Sequence, residues 1–294
     1  MTAYNQIASN KRRTAILIAI FIIVIIALGY VFSKAMEGGI AGVIFACAIA
    51  IGMSLISYYS GDKIALWTSG AHGPVTKEQN AYVYRLVENL CLTAGLAMPK
   101  IYLIPDAAIN AFATGRDPKH ASLAITQGAI DKLENEELEG VMAHELSHIK
   151  NYDIRLMMVV IVCVSITTLL ANWFFRFNFL GGRKKGNAGI LFLLLGVMLA
   201  ILSPLVAKLI QLAISRKREF LADASGVLLT RYPEGLARAL EKIQAENQPL
   251  MRANKATAHL YIANPFSGKK SWFANMFSTH PPIAERIKAL RSIA

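Results

Sequence analysis

The stretch Val141-Met142-Ala143-His144-Glu145-Leu146-Ser147-His148 decides how the rest of the chain is read. It contains the pattern H-E-x-x-H. On a helix, His144 and His148 stand one turn apart on one face, so both imidazoles can reach a single ion. Zinc takes imidazole nitrogen readily, and a reactive zinc site combines three protein ligands with an open position. Glu145 then lies beside the ion, where it can take a proton from water. With six histidines in 294 residues, the pattern arises in roughly one random chain in a couple of hundred of this composition. Chance is a poor account of it, but two imidazoles still need a third ligand.

The third ligand is sought in Glu219-Phe220-Leu221-Ala222-Asp223. Its two carboxylates are one helical turn apart and can face the same centre. Glu219 is assigned to zinc, and Asp223 to a hydrogen bond that fixes the tautomer of a ligand histidine. Taken alone, E-x-x-x-D also fits an amphipathic helix with two solvated carboxylates.

Hydrophobic residues make up 54% of the chain and charged residues only 17%, a balance that points to membrane segments. Uncharged or nearly uncharged runs occupy 14–32, 38–59, 156–175 and 190–214, each long enough for a spanning helix. A cleaved signal peptide is the alternative for the first, but a second run follows at once. The expected division is a membrane hairpin at 1–60 and a water-exposed part with the H-E-x-x-H helix at 61–155. A second membrane pair at 156–214 and a water-exposed part with the third ligand at 215–294 complete it.

Lys11-Arg12-Arg13 holds the N-terminus in the cytoplasm. His148 and Glu219 share an ion only if an even number of crossings separates them, and two runs lie between. The basic loop at 176–185, which this topology puts outside, runs against the positive-inside tendency. A second pair that does not span would keep the ligands together equally well.

The formal net charge of +12 does not point to nucleic acid. The basic triplets Lys11-Arg12-Arg13, Arg183-Lys184-Lys185 and Arg216-Lys217-Arg218 flank apolar runs, where positive charge sets topology and meets anionic headgroups. Three cysteines form no disulfide framework and read as small buried hydrophobes.

Within the water-exposed parts, Thr76-x-x-Gln79 reads as a capping box opening a helix through Ala94. Lys100–Ile104, Asn110–Ala113, Ala121–Thr126 and His259–Ala263 read as strands. Asn135 reads as the N-cap of the helix that carries His144, and that helix is expected to run on past Asn151 and Asp153 toward the bilayer. Pro233 and Pro281-Pro282 open two further helices.

Four motifs now stand in order: Asn110-Ala111-Phe112-Ala113-Thr114-Gly115, His144-Glu145-Leu146-Ser147-His148, Glu219-Phe220-Leu221-Ala222-Asp223 and Ser278-Thr279-His280-Pro281-Pro282. With the Glu285–Leu290 ending E-R-I-x-A-L, they resemble the HtpX family, bacterial membrane zinc proteases related to the CAAX prenyl protease of eukaryotes. The resemblance covers nearly the whole chain. It implies an α-helical membrane protein with an α+β zincin-like protease domain of the gluzincin type, with one zinc on His144, His148 and Glu219 and Glu145 as general base. It also implies a multi-pass protein of the bacterial inner membrane whose active site faces the cytoplasm and whose substrates are damaged or misfolded membrane proteins. Asn110, Ala111, Phe112 and Ala113 resemble the edge strand that holds substrate by backbone hydrogen bonds. His280 either stabilises the oxyanion or caps the last helix.

Two rivals remain. An intramembrane metalloprotease places H-E-x-x-H at membrane depth, where Glu134, Glu136, Glu137 and Glu139 would be costly. A non-hydrolytic membrane zinc sensor or transporter has no need of Glu145.

Overall fold

A 31-residue helix, α1 (Gly39–Ser69), leads into the protein. The computed structural model describes residues 8–12, 14–16, 18–19, 22–23, 26, 39–159, 196, 216–252, 257–266 and 281–293. The runs 156–175 and 190–214 fall almost wholly outside these residues, the run 14–32 in large part, and His280 entirely. Charge is absent from α1 before Asp62, and the helix passes residue 60 without a break. Most side chains from Gly39 to Ser57 lie outside the described set, within which no helix is long and apolar enough to cross a membrane. The end of α1 joins the folded body. Ala65 and Leu66 are buried in a small core with Ile104, Phe112, Met157, Met158 and Tyr261.

The next helix, α2 (Ala81–Ala94), starts later than the capping box suggests. Gln79 Oε1 does accept from the Thr76 N–H at 2.9 Å. The chain turns first, however, and Asn80 becomes the cap by accepting from the Val83 N–H at 3.1 Å. Gly95, at φ 66°, ends the helix in the left-handed conformation that suits glycine.

The strands β1 (Lys100–Ile104), β2 (Ala111–Asp117) and β3 (His120–Thr126) form one sheet in the order β1-β3-β2. β1 runs parallel to β3 and β2 antiparallel to it, which leaves β2 on an edge. The β2–β3 hairpin is held at its tip by Asp117 Oδ1, which accepts from the Lys119 and His120 N–H groups at 2.9 and 3.0 Å. The segment read as a strand at His259–Ala263 is instead a 3-10 turn, Ala258–Leu260, followed by bends. The Tyr261 ring turns inward onto Phe112, 5.0 Å away, and only the Ile262 N–H reaches the sheet, at the Ala111 carbonyl (3.0 Å).

After a short α3 (Gln127–Lys132), the helix α4 (Asn135–Lys150) carries the H-E-x-x-H pattern through the main core. Its cap is Glu134, one residue before the one expected, because Glu137 Oε2 accepts from the Glu134 N–H at 2.8 Å. On α4 pack α5 (Arg216–Thr230) and α6 (Pro233–Glu246), and α7 (Ile283–Arg291) packs in turn on α6 and α5. Gly140 lets α6 come close: a Cβ there would lie 2.7 Å from the Leu236 nitrogen. Gly140→Ala is therefore expected to destabilise the protein by about 1–3 kcal/mol through overpacking. The midpoint of thermal unfolding reads this, and an unchanged midpoint contradicts the close approach.

α4 does not continue into the next apolar run. It stops at Lys150, the Asn151 N–H bonds the Ser147 carbonyl at 3.0 Å, and Tyr152 adopts φ 59° before helix resumes at Asp153. This break directs Asp153 back toward His148.

Candidate metal centre

His144 and His148 leave one face of α4, and their Nε2 atoms are 3.2 Å apart. α5 crosses the same face, and Gly226 permits it: a Cβ there would meet the His144 nitrogen at 3.1 Å. The crossing brings Glu219 Oε2 to 3.8 Å from His144 Nε2 and Glu219 Oε1 to 3.7 Å from His148 Nε2. Ligand bonds of about 2.0–2.1 Å at tetrahedral angles put ligand atoms about 3.3 Å apart, so the three groups surround a position of the right size. All three are buried.

Each imidazole is held from behind by a carboxylate. Asp223 Oδ1 lies 2.9 Å from His144 Nδ1, and Asp153 Oδ2 lies 3.0 Å from His148 Nδ1. A proton on each Nδ1 leaves both Nε2 lone pairs pointing at the same place. Burial, above all, lowers the His144 imidazole to about 4. Burial also opposes charge on His148, but the Asp153 hydrogen bond and the Glu219 charge outweigh it and raise that group to about 9.

Charge makes the same point. Four buried carboxylates, Glu145, Asp153, Glu219 and Asp223, are packed here with two buried guanidiniums, Arg218 and Arg286. With both Nε2 atoms and the Glu219 carboxylate aimed at one buried position, the surroundings favour a cation there. Glu145 Oε2 accepts from the Ala113 N–H at 2.8 Å, while Oε1 is buried and meets no donor among the described residues. Burial raises the Glu145 carboxyl to about 8, as expected of a group that awaits a positive neighbour. The residues fit a metal.

Four supporting residues escape a reading of local spacing. Arg286, on α7, donates to Asp223 through Nε (2.9 Å) and Nη2 (2.6 Å), and to the Ile262 carbonyl through Nη1 (3.1 Å). Burial works against a charged Asp223, but Arg286 overrides it and holds the carboxyl down at about 2. Asp153 supports His148. Arg218, expected to face headgroups with its neighbours in the basic triplet, is buried instead, 3.9 Å from Asp153. Asn10 donates its side-chain amide to Asp153 Oδ1 (2.7 Å) and to the Asn151 carbonyl (2.9 Å).

Asn10→Ala removes a donor from a buried carboxylate, so it is expected to weaken metal retention about 10-fold or more. Equilibrium dialysis against a chelator measures this, and wild-type retention would rule the contact unimportant.

The candidate substrate residues are divided by the pleat. Asn110 is tied down, bonding the Ala263 carbonyl through its side chain and Thr126 through its backbone. Phe112 is buried against Tyr261. Ala111 and Ala113 turn their backbone groups away from β3, toward Ile262 and Glu145 respectively. His280 lies outside the described residues.

Two imidazoles one turn apart on a helix, a carboxylate from a second helix and a further carboxylate between the imidazoles in sequence are the arrangement of a gluzincin-type metallopeptidase. Residues 77–294 match the family described as peptidase family M48. The HtpX protease homologue of Caldanaerobacter subterraneus subsp. tengcongensis is 44% identical, over 99% of this chain and 98% of its own length. Those of Dictyoglomus thermophilum and Tropheryma whipplei are 43% and 41% identical, over 99% of this chain and 94% and 98% of their own lengths. The crystal structure of S. mikatae Ste24p shares the fold at a TM-score of 0.53 and 19% identity, over 90% of this chain and 62% of that longer one. The chain belongs to peptidase family M48 and is a metallopeptidase.

Proposed function

We propose that the chain is a membrane-anchored zinc endopeptidase acting on misfolded or damaged membrane proteins at the cytoplasmic face of the bacterial inner membrane. The observation that carries the reading is the convergence of two imidazoles and Glu219 on one buried position. His144, His148 and Glu219 hold one zinc, and Asp223 and Asp153 fix the imidazoles that bind it. When bound, zinc supplies Lewis acidity, polarising the scissile carbonyl and acidifying water.

The chain's own residues do the rest. A peptide extends along the outer edge of β2 from Ala113 onward, because the outward groups of Ala111 and the Ala113 N–H are already bonded to Asn110, Ile262 and Glu145. Such backbone pairing makes little demand on sequence. Because the Ala113 N–H anchors Glu145 Oε2, the strand that lines up the substrate also sets the position of the base. Glu145 accepts a proton from the attacking water at Oε1 and delivers it to the leaving amine. His280 is the candidate second donor to the oxyanion. The small side chains of Ala111 and Ala113 let β2 lie against α4. The runs 14–32 and 38–59, with the pair at 156–214, serve as membrane segments around this site.

The test is cleavage of a single-span reporter protein by the full chain in detergent, with and without a zinc chelator. Cleavage is expected to stop on chelation and to return with stoichiometric zinc. Cleavage by a chain freed of metal overturns the reading, and stoichiometric metal binding without any cleavage favours a sensor or transporter.

A further inference from the structure

Three apolar runs have their cytoplasmic ends at one place. Lys11 precedes the run that begins at Thr14, Tyr59 closes the run on α1, and Arg155 stands immediately before the run that begins at Leu156. In the fold, the Lys11 and Arg155 side chains meet at Tyr152, and Tyr59 joins them through Arg116. Lys11 Nζ lies 4.4 Å from the centroid of the Tyr152 ring, and Arg155 Cζ lies 5.1 Å from the same centroid. Arg155 Nε donates to the Arg116 carbonyl at 2.6 Å, and the Arg116 guanidinium lies over the Tyr59 ring at 5.2 Å. The cations thus form a connected group, Lys11–Tyr152–Arg155–Arg116–Tyr59, with Lys11 and Tyr59 on its exposed side.

Little among the described residues neutralises it. Among the described residues the acid that pairs with the group is Asp117, 3.7 Å from Arg116. Asp153 is nearby in sequence but is buried and committed to His148 and Asn10. Two like charges drawn onto one aromatic ring repel each other unless an anion lies between them. The ring is set there by a backbone conformation that tyrosine rarely takes, φ 59° at Tyr152.

We propose that Lys11, Arg155 and Arg116 form a binding site for the phosphate of an anionic phospholipid headgroup, with Tyr152 as the platform that holds the first two together. The chemistry called for is a phosphate oxyanion: Arg155 uses Nε on the Arg116 carbonyl, and its terminal nitrogens form the fork that suits phosphate. The depth selects a lipid as the source. The residues lie where three apolar runs end, the level of headgroup phosphates when those runs cross a bilayer, and the site rests on that reading of the runs. It also adjoins the metal centre. Asn10 precedes Lys11, Asp153 lies two residues before Arg155, and a phosphate bridging the two cations draws together the segments that the Asn10–Asp153 bond joins.

The test uses the full chain in vesicles of phosphatidylcholine alone, or with phosphatidylglycerol. Bound lipid is counted by native mass spectrometry after extraction. Wild type is expected to retain phosphatidylglycerol in preference to phosphatidylcholine. The pair Lys11→Gln with Arg155→Gln is expected to bind it about 30-fold more weakly. The single change Lys11→Arg keeps both the charge and the Arg155 fork and is expected to leave retention as in wild type, as is the exposed control Lys77→Gln.

Equal retention by wild type and the Gln pair overturns the site. Displacement of the lipid by inorganic phosphate at comparable concentration overturns the lipid as its source. A chain washed off the vesicles by alkaline carbonate overturns the membrane reading itself, a result separate from a membrane-retained chain that shows no lipid preference.

Discussion

A chain carrying Glu145→Gln is expected to keep one metal ion and to lose peptide hydrolysis by about 10²–10⁴-fold. The substitution is nearly isosteric. The glutamine oxygen can accept from the Ala113 N–H as Glu145 Oε2 does at 2.8 Å, so the side chain stays anchored to β2. Its NH₂ group then occupies the position of Oε1, where it can donate but has no lone pair to accept a proton. The proposed metal ligands are untouched, because His144 and His148 are supported from Asp223 and Asp153 rather than from Glu145. Metal content by mass spectrometry, alongside turnover of the reporter protein, separates the two effects. Wild-type turnover removes Glu145 from the role of base, and loss of metal with loss of turnover makes it a ligand.

The second large effect is expected at Arg286→Leu. Arg286 is fully buried and grips Asp223 through two hydrogen bonds. Removing one partner of a buried pair leaves the other uncompensated, which costs about 3–5 kcal/mol. Asp223 then no longer holds His144 in place, so metal affinity falls along with stability. Lysine keeps the charge but not the planar fork, so Arg286→Lys is expected to recover only a part of either property. Thermal unfolding with and without bound metal, together with zinc content, measures both. Full recovery by lysine would show that charge alone matters at this position.

The comparison between sequence and structure turns on distance along the chain. His144, Glu145 and His148 are spaced by one helical turn, and so are Glu219 and Asp223; spacing of that kind is legible because the helix alone dictates it. The strands at Lys100–Ile104 and Ala121–Thr126 are equally plain as short apolar runs, although Ala121–Thr126 is buried on both faces. Asp153 was hidden by a single residue. Had α4 continued, Asp153 would point elsewhere, and only the left-handed conformation of Tyr152 turns it back to His148. Arg286 lies 142 residues from His144, and Asn10 lies 143 from Asp153; no local period reports contacts of that range. Arg218 sat inside a basic triplet whose usual meaning is a membrane boundary, and nothing short of the packing of α5 on α4 distinguishes it from Arg216 and Lys217. Asn110 shows the converse: the segment was recognised by its motif, yet the side chain is spent on fastening the strand rather than left open.

The Arg286 grip on Asp223 has a consequence in time. A protease is a hazard to the cell while it is being made. Chains emerge from the ribosome N-terminus first, so Asn10 and the H-E-x-x-H helix are out early. Asp223 follows, but it stays without its guanidinium partner until synthesis has passed Arg286. Until then the carboxylate that steadies His144 is itself unsteadied. The support of His144 thus depends on a helix translated well after the residues it steadies.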